Sequence, residues 1–264
     1  MPDIRRALKK FLPHLLRARD DGLNEADTVQ RLVLFFHEVL GYDQFEEITR
    51  EAQIRDKFVD LAIKLDGKIR LLVEAKSAAT TLRDRHLEQA ERYAAEGNYP
   101  WALLTNGLTW KLYHLTFDEG IEYVKVFEIE LGSDEAGDDS CERLALLHRS
   151  SLLKGELEEF WAHRQALDAE SIGKALFTEN TLRLIRRNIR RREGLLIDVE
   201  DLATAIRDMF SVETREKIGA VRIQRQRRVR KKADAAQGPP AAPSATSEPT
   251  QAGIPVSPVA PPPG

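Results

Sequence analysis

The feature that most constrains the fold of this chain is a pair of apolar runs, FVDLAIKL (58–65) and IRLLVEAK (69–76), on either side of Asp66-Gly67. Alternating runs joined by Asp-Gly predict a β-hairpin. A two-residue loop at Asp66-Gly67 would set Leu61 against Leu72 and Ile63 against Arg70, mixing charged and apolar residues on both faces. A three-residue loop, with Gly67 in the left-handed position of a bulged turn, pairs Lys64 with Lys68 instead. One face then carries Val59, Leu61 and Ile63 against Val73, Leu71 and Ile69, all apolar and suited to a core. A one-residue slip would exchange the faces, so the three-residue loop is the expected register.

That register has a chemical consequence. Asp60, Glu74 and Lys76 fall together on the opposite face, with Asp60 against Leu72 and diagonal to Glu74. Two neighbouring carboxylates raise each other's pKa unless a cation lies between them. Oxygen ligands with open positions suit Mg²⁺ or Mn²⁺, which can activate a water and stabilise charge on a phosphate. A lysine beside them can orient or deprotonate that water, or neutralise the phosphate. The plain reading is a solvated strand face, since charged alternation is ordinary on a half-exposed strand. An acid that directly follows the apolar run Leu71-Leu72-Val73 is less ordinary.

Around the hairpin the pattern predicts an α/β domain over residues 1–132. Asn24 can cap a helix from Glu25 to Leu40, with Asp27 in a capping-box-like position and Gly41 at its end. Strand-like runs are FEEITRE (45–51), the two hairpin runs, WALLT (101–105), LTWKLYHL (108–115) and IEYVKVFEI (121–129), with a turn at Asn106-Gly107. A helix is expected over roughly 82–96, ending at Gly97. The order α-β-β-β-α-β-β suggests a mixed central sheet flanked by helices. Residues 139–228 are helical in pattern and predict a second, all-helical unit. Nine of the twelve prolines lie between Pro239 and Pro263, so residues 233–264 read as a disordered tail.

Net charge is −3, but residues 222–264 hold seven basic and two acidic residues, so the remainder is acidic. Any nucleic-acid contact is therefore expected to be local. The foremost basic segment holds Arg225, Arg227, Arg228, Arg230, Lys231 and Lys232 beside the tail, where flexible basic arms commonly hold DNA. A second run, RLIRRNIRRRE (183–193), sets arginines against Leu182, Ile185 and Ile189 and reads most simply as a solvated helix face. Cys141 is the one cysteine, which excludes a disulfide framework. No apolar run is long enough for a signal peptide or a membrane span, so a cytoplasmic setting is expected. The six histidines show no paired ligand spacing, although His86 sits one turn before Gln89.

The ordered set NEADTVQRLVLFFHEVLGYD (24–43), FVDLAIKL, LLVEAKSA, HLEQAERYA (86–94) and YPWALLTNGLTWKLYHL (99–115) resembles the amino-terminal nuclease domain of type I restriction enzyme R subunits. That domain is of the PD-(D/E)xK superfamily, in its RecB-like branch. The resemblance implies a restriction-endonuclease-like sheet, Asp60 and Glu74 as metal-binding acids aided by the Ala75 carbonyl, and Lys76 as catalytic lysine. It also assigns Glu25 to the helical glutamate before the core, and Gln89 and Tyr93 to the QxxxY motif. Val59 stands where the family name has proline, a change that removes no ligand. No GxxxxGK[ST] phosphate loop occurs, so no ATP site and no motor are expected.

The resulting expectation is a Mg²⁺-dependent DNA endonuclease of restriction type, with DNA and restriction–modification subunits as partners. The alternative is a non-catalytic or latent DNA-binding accessory module that keeps the fold.

Overall fold

Ile4, Leu8, Phe11, Leu15 and Ala18 recur at helical spacing and bury one stripe of a first helix, α1 (Ile4–Asp20). This helix lies outside the predicted elements. Its stripe was legible, but Pro13 within it reads as a helix breaker. The computed structural model describes residues 4–54, 57–87, 97–117, 120–132 and 138–219. Helix α2 (Glu25–Glu38) starts where predicted: Asn24 accepts a hydrogen bond from the Asp27 amide at 2.9 Å, and Gly41 beyond it takes a φ of 78°.

Six strands follow: β1 (Ile48–Ile54), β2 (Lys57–Leu65), β3 (Lys68–Ala75), β4 (Trp101–Thr105), β5 (Thr109–Thr116) and β6 (Glu122–Glu130). They form one mixed sheet in sequence order, antiparallel throughout except for the parallel pair β3–β4. The expected α/β class with a mixed sheet is what is observed. Strand β1 begins three residues later than expected, at Ile48 rather than Phe45. The Asp43 side chain takes the amides of Phe45 (2.8 Å) and Glu46 (2.9 Å) into a turn, which leaves Phe45 83% exposed. Likewise β5 begins at Thr109, because Asn106 Oδ1 accepts from the Leu108 (3.0 Å) and Thr109 (2.7 Å) amides and holds Leu108 in the turn. The predicted 82–96 helix falls largely outside the described residues, which show a single 3₁₀ turn at Asp84–Leu87.

The hairpin register corrects the expected one. Leu65 pairs with Lys68, so the loop has two residues, not three, and both take left-handed backbone (Asp66 φ 51°, Gly67 φ 71°). That is the loop whose twist suits adjoining strands. The cost foreseen for it, charge on the apolar face, is avoided by a bulge. Lys64 faces Ile69 but Ile63 faces Leu71, so Arg70 is an extra residue and the register advances by one. Leu61, Ile63, Leu71 and Val73 are thereby all fully buried in the main core. Ile69 and Val59, expected on the same face, pack instead in a second cluster on the sheet's other side, with Leu72, Leu104 and Tyr113. Gly67→Ala is expected to lower stability by about 1 kcal/mol, read as a shift in denaturant midpoint. A Cβ there meets nothing within 4 Å, so the effect isolates backbone strain.

The main core lies between the sheet and α1 and α2, where Phe35 packs on Trp110 with ring centroids 4.8 Å apart. Seven further helices follow: α3 (Asp138–Leu146), α4 (Arg149–Lys154), α5 (Glu156–Ala166), α6 (Ala169–Leu176), α7 (Glu179–Glu193), α8 (Val199–Arg207) and α9 (Val212–Ile218). Leu144, Leu147, Leu152, Leu157 and Trp161 from the first of these are buried in the same cluster as the sheet. Among the described residues, no helix is long and apolar enough to cross a membrane.

Candidate active site

The parallel pair β3–β4 requires a long crossover, and the carboxyl end of β3 opens onto it. Ligand sites of α/β sheets lie at such carboxyl ends. Glu74 is the penultimate residue of β3, and Lys76 follows the strand with its amide donating to Thr105 O at 2.8 Å. Continuing the Leu61–Val73 pairing by one residue sets Asp60 beside Glu74. The bulge thus shifts Asp60 from the position across from Leu72 toward Glu74, and its Oδ2 reaches the Ala75 amide. Glu25, the first residue of α2, completes the group from above the sheet.

The geometry is close. Lys76 Nζ lies 2.7 Å from Glu74 Oε1 and 3.5 Å from Glu25 Oε2. Asp60 Oδ2 accepts from the Ala75 amide at 2.7 Å. Glu74 is 1% exposed, and its Oε2 is buried without a hydrogen-bond partner. A buried carboxylate oxygen without a partner is costly, and a cation or a proton would satisfy it.

The electrostatics agree. Burial, and then the neighbouring Asp60 charge, push Glu74 up to about 7 despite its bond to Lys76. Burial also raises Asp60, against the opposing pull of the Ala75 amide and Lys76. For Lys76 burial would lower the pKa, but the hydrogen bond and charge of Glu74, with Glu25 and Asp60, outweigh it and hold the ammonium above its usual range. The two partners of the Glu74–Lys76 bridge therefore shift unequally. The lysine faces several carboxylates, whereas the more deeply buried glutamate faces one cation and two anions, Asp60 and Glu25.

Among the described residues, no three His, Cys, Asp or Glu side chains gather as a ready metal cage. What the site offers is two opposed carboxylates, Asp60 and Glu74, with Glu74 Oε2 open and the Ala75 main chain between Glu74 and Lys76. Hard oxygen donors that leave positions for water fit Mg²⁺, which rarely takes an all-protein cage.

The remaining sequence-predicted residues separate. Gln89 and Tyr93 lie outside the described residues, as do Arg225, Arg227, Arg228, Arg230, Lys231 and Lys232 and the expected tail. The arginine run is on α7, where Leu182 is buried and Arg183 pairs with Glu179 at 2.6 Å. Sequence reasoning missed how the loop after Lys76 is held. Ala78 N donates to Leu23 O at 3.2 Å, and Asn106 Nδ2 donates to Thr80 O at 2.8 Å. Asn106 is 8% exposed and uses both ends of its amide. Asn106→Ala is expected to cost about 2 kcal/mol in thermal or denaturant unfolding, by stranding buried partners.

No curated protein and no solved structure matches this chain. Residues 24–129, which span every element of the site described above, match the family of the type I restriction enzyme R protein N terminus, so this part of the chain is similar to that family.

Proposed function

We propose that this domain is a metal-dependent deoxyribonuclease of restriction type, acting on DNA in company with restriction–modification subunits. The observation that carries the proposal is the buried Glu74 carboxylate, opposed by Asp60, bonded to Lys76 through one oxygen and open at the other. Asp60 and Glu74, with the Ala75 carbonyl, would hold Mg²⁺ or Mn²⁺. Such an ion supplies a Lewis acid that polarises the phosphate and acidifies a water.

The chain's own residues do the rest. Lys76, held above its usual pKa by the carboxylates around it, brings a cation to the site that orients the attacking water and neutralises a phosphate oxygen. Glu25, 3.5 Å from Nζ, restrains the ammonium from the helix side. Ala75 N, bonded to Asp60, fixes that carboxylate against its neighbour. Water attacks phosphorus, the P–O bond to the leaving sugar breaks, and the products are a phosphate monoester and a free hydroxyl.

The test is cleavage of supercoiled, nicked and linear DNA by purified protein with Mg²⁺, against chelator and a Glu74→Ala control. Products that need both the metal and Glu74 support the proposal. If no substrate is cut beyond that control and calorimetry detects no Mg²⁺ or Mn²⁺ binding, the domain is a non-catalytic module instead.

A further inference from the structure

Just beyond Lys76 the chain is pinned repeatedly before it reaches a cluster of cations. Ser77 Oγ and Thr80 Oγ1 share a hydrogen bond at 2.6 Å, and Lys111 Nζ donates to Leu82 O at 3.3 Å. The Leu82 side chain is 6% exposed within the second cluster. With the Ala78 and Thr80 bonds already described, this loop has few free torsions. It delivers Arg83, Arg85 and His86 in a 3₁₀ turn closed by His86 N donating to Arg83 O at 2.9 Å.

The His86 ring is itself oriented. The Arg83 amide donates to His86 Nδ1 at 3.3 Å, so in the neutral ring the proton sits on Nε2, turned away from the main chain. Burial, with Arg85, Lys76 and Arg83 nearby, holds the imidazole below its usual pKa, and the Glu25 charge is also felt there. The turn that follows the pinned loop beyond Lys76 therefore presents His86 as an N–H donor. Arg83 and Arg85 are exposed, and among the described residues neither forms an ion pair. The acids of the site repel DNA, so a cationic edge with a directed N–H beside them meets the requirement for docking a phosphate.

We propose that Arg83, Arg85 and His86 form the phosphate-binding rim of this site, with His86 Nε2–H donating to a backbone phosphate next to the one that is cut. The proposal rests on the nuclease reading for its substrate class, namely a DNA strand. It assigns these residues to binding, not to the chemical step.

Binding of a labelled duplex to the full chain in Ca²⁺, across a salt series, tests the rim separately from cleavage. Arg83→Ala with Arg85→Ala is expected to reduce the slope of log Kd against log salt by about 2. His86→Ala is expected to raise KM roughly fivefold to tenfold with kcat nearly unchanged, and His86→Gln, which keeps an N–H near the Nε2 position, to recover most of the loss. Rim-dependent binding by a protein that cuts nothing would sink the nuclease reading and leave the rim standing. Wild-type slope and affinity in the arginine and His86→Ala variants, or no DNA binding by the wild type, would overturn the rim.

Discussion

Glu74→Gln is expected to abolish metal-dependent cleavage while making the metal-free protein more stable at alkaline pH. The first half follows from removing a buried anionic ligand. The second follows from proton linkage. An unfolded glutamate titrates near 4.5, whereas folded Glu74 titrates at about 7. The folded state thus prefers the protonated acid. Stability from this group is fully present below about 4.5 and is lost as pH rises through about 7. The difference corresponds to about 3 kcal/mol. Asp60, also raised by burial, acts in the same direction. Lys76 is shifted upward from an already alkaline value and does not titrate in this window.

Thermal unfolding measured at pH 5.5 and 8.5 checks this. In chelator, the wild type should lose Tm relative to Glu74→Gln as pH rises. Saturating Mg²⁺ should restore wild-type Tm at pH 8.5, because a cation favours the ionised carboxylates, and should do little for the variant. A wild-type-minus-variant difference that does not change with pH would refute the buried-acid account. Cleavage by Glu74→Gln within tenfold of wild type would refute its catalytic role.

Lys76→Met carries the second large effect. Removing a cation that faces the phosphate is expected to lower kcat by about a hundredfold to ten-thousandfold. Metal binding should survive, since both carboxylates remain. Without its 2.7 Å partner, Glu74 loses the one bond that lowers its pKa, so metal binding in Lys76→Met should need a higher pH than in the wild type. Lys76→Arg keeps the charge but replaces a compact ammonium by a planar fork, so it should recover metal behaviour more fully than rate. Calorimetry across pH, paired with single-turnover cleavage, separates the two. A rate within tenfold of wild type in Lys76→Met would remove the lysine from the chemistry.

Some of this was legible before any coordinates. Alternation in FVDLAIKL and IRLLVEAK, the Asp-Gly turn and the Asn24 cap are local signals, governed by backbone preference and side-chain period. They suffice to predict a hairpin and a helix start. Helix α1 shows the limit of such signals: it forms over Ile4–Asp20 with Pro13 inside it, and no element was expected there.

The register was decided elsewhere. Local pattern favoured a three-residue loop because it kept Arg70 off the apolar face. The folded hairpin keeps the tighter turn and ejects Arg70 in a bulge, because a core closed by α1 and α2 rewards burial of Leu61, Ile63, Leu71 and Val73 more than the interruption of the ladder costs. That choice sets Asp60 against Glu74. Burial of Glu74, its open oxygen and the approach of Glu25 likewise come from the packing of α2 over a sheet built from distant segments. Sequence alone determined which residue types share the site's face. Tertiary structure decided their separation and solvation, since both depend on contacts between residues far apart in the chain, and these set the pKa of Glu74.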